Sequence, residues 1–189
     1  VNDAGSGLSL ASDGDVADPD EDDVLSISGT LADEDGVTGA SPTYVWSTGA
    51  TSSTLTLGQT DVGTTISVVI SYTDDQSESN TITLTAASDV DNVNDAPSIT
   101  STAVSSATED SAYSYSITTS DEDGSSLDSW TITATSISWL TLTDGSDGTA
   151  TLAGTPLNGD VGDHSVTVTV TDAAGASGTQ SFTISVANT

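Results

Sequence analysis

No lysine and no arginine occur among the 189 residues, against 29 aspartates and glutamates and a single histidine, for a formal net charge of −29. That absence excludes any salt bridge to a basic side chain. It also excludes nucleic acid as a partner, because nothing in the chain neutralises phosphates. An anionic membrane surface is excluded by the same repulsion. Cysteine is absent too, which removes disulfides and thiolate metal sites. No apolar run reaches the roughly 18 residues of a membrane-spanning helix, so direct insertion is not expected. Methionine is absent and phenylalanine occurs once, leaving core-building to Val, Ile, Leu, Ala and a few Trp and Tyr. The chain starts at Val1 in mid-motif, without signal peptide or initiator methionine, and reads as a segment of a longer protein.

What is present favours strands and turns. Thr and Val suit strands, while Gly, Asp, Asn and Ser suit the turns between them. Helix-favouring Lys, Arg, Gln and Met are rare or missing, so the expected class is all-β. The length fits one large domain or two of about 90–100 residues. Internal repeats decide for two. Asn2-Asp3-Ala4 returns as Asn94-Asp95-Ala96, and Asp33-Glu34-Asp35-Gly36 as Asp121-Glu122-Asp123-Gly124. Asp61-Val62-Gly63 returns as Asp160-Val161-Gly162, and Thr73-Asp74 as Thr171-Asp172. Four markers in one order, at drifting offsets, describe two diverged copies with loops of different length. The predicted domains are 1–92 and 93–189, each an immunoglobulin-like (cadherin-like) β-sandwich.

Alternating runs give the strands. In the first copy they are Val24–Leu31, Thr43–Trp46, Thr54–Leu57, Thr65–Tyr72 and Asn80–Ala86. In the second they are Ser98–Val104, Ala112–Thr118, Ser129–Ser136, Leu140–Thr143, Ala150–Ala153, His164–Thr171 and Gly178–Val186. Val166, Val168 and Val170 alternate with threonines, the pattern of a half-buried strand. Short strands at this spacing predict a sandwich. Trp46, Trp130 and Trp139 are read as core rather than as a sugar-stacking platform, and solvent-facing Thr as ordinary strand propensity rather than an ice-binding face.

The acids are clustered. Two carboxylates about 4 Å apart repel by about 4 kcal/mol at an effective dielectric near 20, against a total domain stability of about 5–15 kcal/mol. Either the acids stay dispersed in water or cations sit between them, and their clustering favours cations. In a sandwich of this topology the loops carrying Asp33, Asp35 and Asp74 lie at the end where the chain enters. So do those carrying Asp121, Asp123 and Asp172. Asp20, Glu21 and Asp61 belong to the opposite end, as do Glu109 and Asp160. At the junction the linker adds Asp89, Asp91, Asn94 and Asp95, a set sufficient for one to three calcium ions, which take six to eight oxygen ligands. Asp3 joins the outward pole of the first copy, and Asn188 that of the second. Asp144-Gly145 and Asp147-Gly148 are read as turns. An EF-hand is excluded, because Asp23 stands where the Asp18-Asp20-Asp22 rhythm would need glycine.

The sequence Asp91-Asn92-Val93-Asn94-Asp95-Ala96-Pro97 resembles the interdomain linker of cadherins and bacterial cadherin-like repeats. The first copy, from Leu31-Ala32-Asp33 to Ser71-Tyr72-Thr73-Asp74, is similar to a repeat of giant bacterial RTX adhesins. The second resembles the dystroglycan-type cadherin-like repeat through Ala107-Thr108-Glu109-Asp110, Ser138-Trp139-Leu140, Gly154-Thr155-Pro156 and Asp160-Val161-Gly162-Asp163-His164. The first copy departs from pattern at Gly5, where proline would follow Asn2-Asp3-Ala4. The resemblance implies calcium-rigidified, monomeric extender modules of a secreted bacterial surface protein. Their partners would be neighbouring repeats of the same chain. A calcium-dependent module binding glycan or peptide is the alternative. No catalytic residues are expected: His164 is the lone histidine, read as structural, and no Gly-x-Ser-x-Gly surrounds any serine. A paired-carboxylate glycosidase would need a cleft that small sandwiches rarely form.

Overall fold

In the computed structural model, residues 5–123, 131–145 and 148–189 are described. Asp3, Trp130, Gly124 and Asp147, named above, lie outside them. The chain divides into two compact units, Val1–Val93 and Asn94–Thr189, and both are β-sandwiches.

The first unit contains β1 (Ser6–Ser12), β2 (Val24–Ala32), β3 (Thr43–Trp46), β4 (Thr54–Thr56), β5 (Thr65–Thr73) and β6 (Ser79–Asp89). One sheet has the order β1-β2-β4 and the other β3-β5-β6. Strand alternation sends Ile66, Val68 and Ile70 of β5 inward and leaves Thr65, Val69 and Thr73 outside. Leu25, Trp46, Leu57 and Val90 complete the core. Burying each such side chain contributes about 1.5–3 kcal/mol. The Trp46 indole N–H donates to the Ser52 carbonyl at 2.9 Å, so its one polar atom is satisfied as the ring fills the core.

The second unit contains β7 (Ser98–Ile99), β8 (Ser106–Thr108), β9 (Tyr113–Ser120), β10 (Thr131–Ala134), β11 (Leu140–Asp144), β12 (Thr149–Gly154), β13 (Gly162–Thr171) and β14 (Ser177–Ala187). Its sheets are β10-β13-β14-β8 and β11-β12-β9-β7. Val166, Val168, Val170, Ile184 and Val186 face Tyr113, Tyr115, Ile117 and Leu152 across the core. Trp139 packs against it, edge-on to Tyr113 at 5.7 Å and to His164 at 5.8 Å. Gly154 is required by close approach: a Cβ there would stand 1.8 Å from the Trp139 carbonyl oxygen. The Gly145 N–H closes the β11–β12 turn onto Thr149 O at 2.8 Å.

Two strand expectations need correction. The run Ser98–Val104 is not one strand. β7 pairs with β9, and β8 pairs in parallel with β14 in the other sheet. The chain crosses between sheets in the interval, held by Ser101 against the Tyr115 hydroxyl at 2.7 Å. β1 was also not anticipated, although Leu8 and Leu10 alternate and pack on the core.

Candidate cation-binding poles

Each unit carries acids at both ends of its strands, and the backbone builds corresponding ends alike. At the entry end of the first unit, the β2–β3 loop turns on Asp33, whose Oδ1 accepts the Asp35 N–H at 3.0 Å. Gly36 follows with φ of 86°, and a Cβ there would meet the Asp75 carboxylate at 2.4 Å, so glycine closes this turn. In the β5–β6 loop, Asp74 Oδ1 accepts the N–H groups of Gln76 and Glu78, both at 2.9 Å. Asp74 Oδ2 accepts the Asn80 amide at 3.0 Å. The Tyr72 hydroxyl donates to Asp33 Oδ2 at 2.6 Å. Burial, then that hydrogen bond and the Asp33 charge, push the Tyr72 pKa up to about 12. One oxygen from each of Asp33, Asp35 and Asp74 lies within 4.8 Å of the others, and Asp74 is only 5% exposed. Calcium–oxygen distances of about 2.3–2.6 Å place two ligands on one ion up to about 5 Å apart. The all-oxygen set fits that ion.

The entry end of the second unit repeats the construction. Asp121 Oδ1 accepts the Asp123 N–H at 3.1 Å, and Asp172 Oδ1 accepts the Ala176 N–H at 2.9 Å. The extra partners differ: Asn94 donates to Asp172 Oδ2 at 2.9 Å, and the Asp95 N–H to Asp123 Oδ2 at 2.7 Å. Burial raises the pKa of Asp121 above the ordinary carboxylate value. The Asp123 N–H opposes this, and the charges of Asp123, Asp172 and Asp95 add to it. The Asn94 amide, with the Ala176 and Gly175 N–H groups, holds Asp172 below that value against its desolvation.

The exit ends also correspond. The Glu21 N–H donates to Asp91 O at 2.8 Å, and the Glu109 N–H to Ala187 O at 2.9 Å. Asp22 and Asp110 follow with φ of 69° and 59°. Asp61 Oδ2 accepts the Gly58 N–H at 3.1 Å, and Asp160 Oδ2 the Leu157 N–H at 2.9 Å. Each aspartate thereby closes a single 3-10 turn, Gln59–Asp61 or Asn158–Asp160. Asp20 bridges backbone-to-backbone with Asp91. His164 Nε2 lies 2.6 Å from Asp160 O. Asp89 stands apart, exposed on β6 and bonded to the Thr65 hydroxyl. Glu21 and Glu109 are 5% and 8% exposed, and Glu109 Oε2 has no hydrogen-bond partner. Sequence reading did not reveal the supporting roles of Tyr72, Asn80 and Gln76, because none carries charge or stands in a repeated motif.

Two tandem β-sandwiches with matched acidic ends make up the chain, and the second contains an Ig-like domain. Residues 96–187 match the He_PIG family model, described as Putative Ig domain. No curated protein matches the chain. Among solved structures, an endo-fucoidan hydrolase of glycoside hydrolase family 107 is 26% identical over 72% of this chain and 20% of its own, with a TM-score of 0.42. The extracellular cadherin domains 1–5 of protocadherin gamma B2 are 19% identical over 92% of this chain and 37% of their own, with a TM-score of 0.46. The SrpA adhesin from Streptococcus sanguinis is 14% identical over 51% of this chain and 59% of its own, with a TM-score of 0.41. The chain thus spans from a fifth to about three fifths of the length of these proteins.

Proposed function

We propose that this chain is a calcium-stabilised, non-catalytic extender segment of a large extracellular bacterial adhesin, holding a distal binding domain away from the cell. The observation that carries this reading is Glu109. Its carboxylate is buried, one oxygen is unpartnered, and the chain has no Lys or Arg to neutralise it. A buried carboxylate without a counter-charge is strongly unfavourable. Calcium supplies the missing charge and accepts the orphaned oxygen.

Oxygen-bearing side chains with no basic counter-charge in the chain also gather at Glu21, Asp61 and Asp91 of the first unit and at Asn94, Asp95, Asp121, Asp123 and Asp172 of the second. Asp91 and Asp95 are joined by only Asn92-Val93-Asn94, and four extended residues reach at most about 14 Å. A tether that short lets the two acidic sets share calcium and stiffen the joint. The outward sets, Asp33, Asp35 and Asp74 at one end and Glu109 and Asp160 at the other, would do the same with neighbouring repeats. Metal-free, the mutual repulsion loosens the segment; millimolar calcium neutralises the poles and stabilises the cores by linkage. Thermal melts and small-angle scattering, with calcium and with chelator, test this. The expected result is a higher melting temperature and a longer, stiffer particle in calcium. Identical melts and identical scattering profiles would sink it.

A further inference from the structure

The outer face of the β3-β5-β6 sheet differs from the corresponding face of the second unit in its outermost hydroxyl pair. In the second unit two outward hydroxyl pairs are joined, Thr171 with Ser177 at 2.8 Å and Thr167 with Ser181 at 2.9 Å, while Thr169 opposite Thr179 is not. The corresponding pair in the first unit is Thr73 opposite Ser79, and no hydrogen bond joins their hydroxyls. Those of Ser71 and Thr81, opposite each other in the next row, are likewise without protein partners. The loop 38–41 stands beside this floor, and together they enclose an open groove of about 590 Å³. That volume falls within the range of small-molecule sites, about 300–1,000 Å³. One row further along the same face, Val45 and Val69 stand opposite each other, 50% and 37% exposed. The groove therefore offers free hydroxyls bordered by an apolar strip.

We propose that this groove binds a neutral saccharide. An anionic ligand would meet a chain of charge −29 with no basic side chain, a repulsion that acts over the whole surface. A cationic ligand needs an open carboxylate, and the one in the lining, Asp74, is 5% exposed with its oxygens engaged by Gln76, Glu78 and Asn80. An apolar ligand would strand the lining hydroxyls. Serine and threonine hydroxyls both donate and accept, which suits a polyol whose own hydroxyls do the same. The C–H face of a sugar ring would lie against Val45 and Val69. The groove adjoins the first pole and shares Tyr72, Asp74 and Asn80 with it, but its floor hydroxyls of Ser71, Thr73, Ser79 and Thr81 belong to none of the acidic sets.

The test is amide chemical-shift mapping of the two-unit chain in calcium, titrated with neutral hexasaccharides (maltohexaose, cellohexaose, mannohexaose), hexameric glucosamine and hexameric galacturonate. Expected are shifts at Gly39, Ala40, Ser71 and Thr81 with at least one neutral sugar, with affinity near the millimolar range of weak single-site contacts, about −4 kcal/mol. Thr81→Trp fills the groove from an exposed strand position and should weaken binding at least about tenfold with an unchanged melting temperature. Thr179→Trp, at the matching exposed strand position of the second unit, should leave it intact, and Ser41→Trp provides a second obstruction from the loop. No shift with any neutral sugar would overturn the proposal. So would binding of the cationic hexamer alone, shifts confined to the Asp33–Asp35 and Asp121–Asp123 loops, or full affinity in both groove-filling variants.

Discussion

The two entry ends are built on the same backbone scaffold and stabilised by different means. In the first unit, Tyr72 and Asn80 project from the strands themselves to hold Asp33 and Asp74. In the second, position 170 is valine and Asp172 is held by Asn94 at the unit's own entering strand of chain. Among the described residues, the first pole is held from its own strands, and the second in part by Asn94 and Asp95 of the entering chain. The consequence is electrostatic. Asp33 has a hydroxyl donor, while Asp121 sits among Asp123, Asp172 and Asp95 with its pKa raised. In the second pole, burial and then the neighbouring carboxylate charges raise the pKa of Asp121.

The largest expected effect separates the cores. Trp46→Ala should cost about 3–5 kcal/mol and unfold the first unit in calcium-free solution while tryptophan fluorescence of Trp139 still reports a folded second unit. A single cooperative melt of both units would break the comparison. Next is the metal. Calcium at about 100 times its dissociation constant adds about 2.7 kcal/mol per site, and Glu109→Gln should lose one such increment in the second unit without lowering metal-free stability. Calorimetry in chelator and in calcium reads both. Tyr72→Phe removes one hydrogen bond worth about 1 kcal/mol, confined to the first unit, and should leave Tyr113 as the tyrosine that ionises near pH 12 in an ultraviolet titration, halving that step.

The smallest effect has a defined sign. Asp121 binds its proton more tightly when folded, so its contribution is favourable at low pH and is lost as pH rises through the folded value. Asp121→Asn should therefore raise metal-free stability near pH 7, and the gain should vanish once acid protonates the wild-type residue. Asp172 is the reverse case: its folded pKa is lowered, so its stabilisation holds above the ordinary carboxylate value and is lost as pH falls. Asp172→Asn should weaken the second unit near neutrality. Melts of the two variants from pH 3 to 7, moving in the same direction, would contradict the assignment.

Much of the fold was legible because a strand with one buried face writes its pattern at period two. Val166-Thr167-Val168-Thr169-Val170 is such a case, and β13 spans it. The acidic positions were legible through repetition: Asp33 and Asp121, Asp74 and Asp172, and Asp61 and Asp160 occupy matching turns in the two units. The crossing after Ile99 was not, because Ser98–Val104 alternates well enough for one strand and nothing local says which sheet each part joins. Nor was Asp89 distinguishable from Asp91. They are two residues apart, yet one lies on an exposed strand face and the other has its backbone paired with Pro19 and Glu21.

The sequence alone determined the all-β class, the duplication and the absence of any basic counter-charge, since composition and period need no knowledge of long-range contacts. Tertiary structure decided which carboxylates become buried, which find a tyrosine, an asparagine or a backbone N–H, and which, like Glu109, keep an oxygen unanswered. Those outcomes depend on residues brought together from distant parts of the chain. Asp33 meets Tyr72 across 39 positions, and no local pattern encodes that pairing.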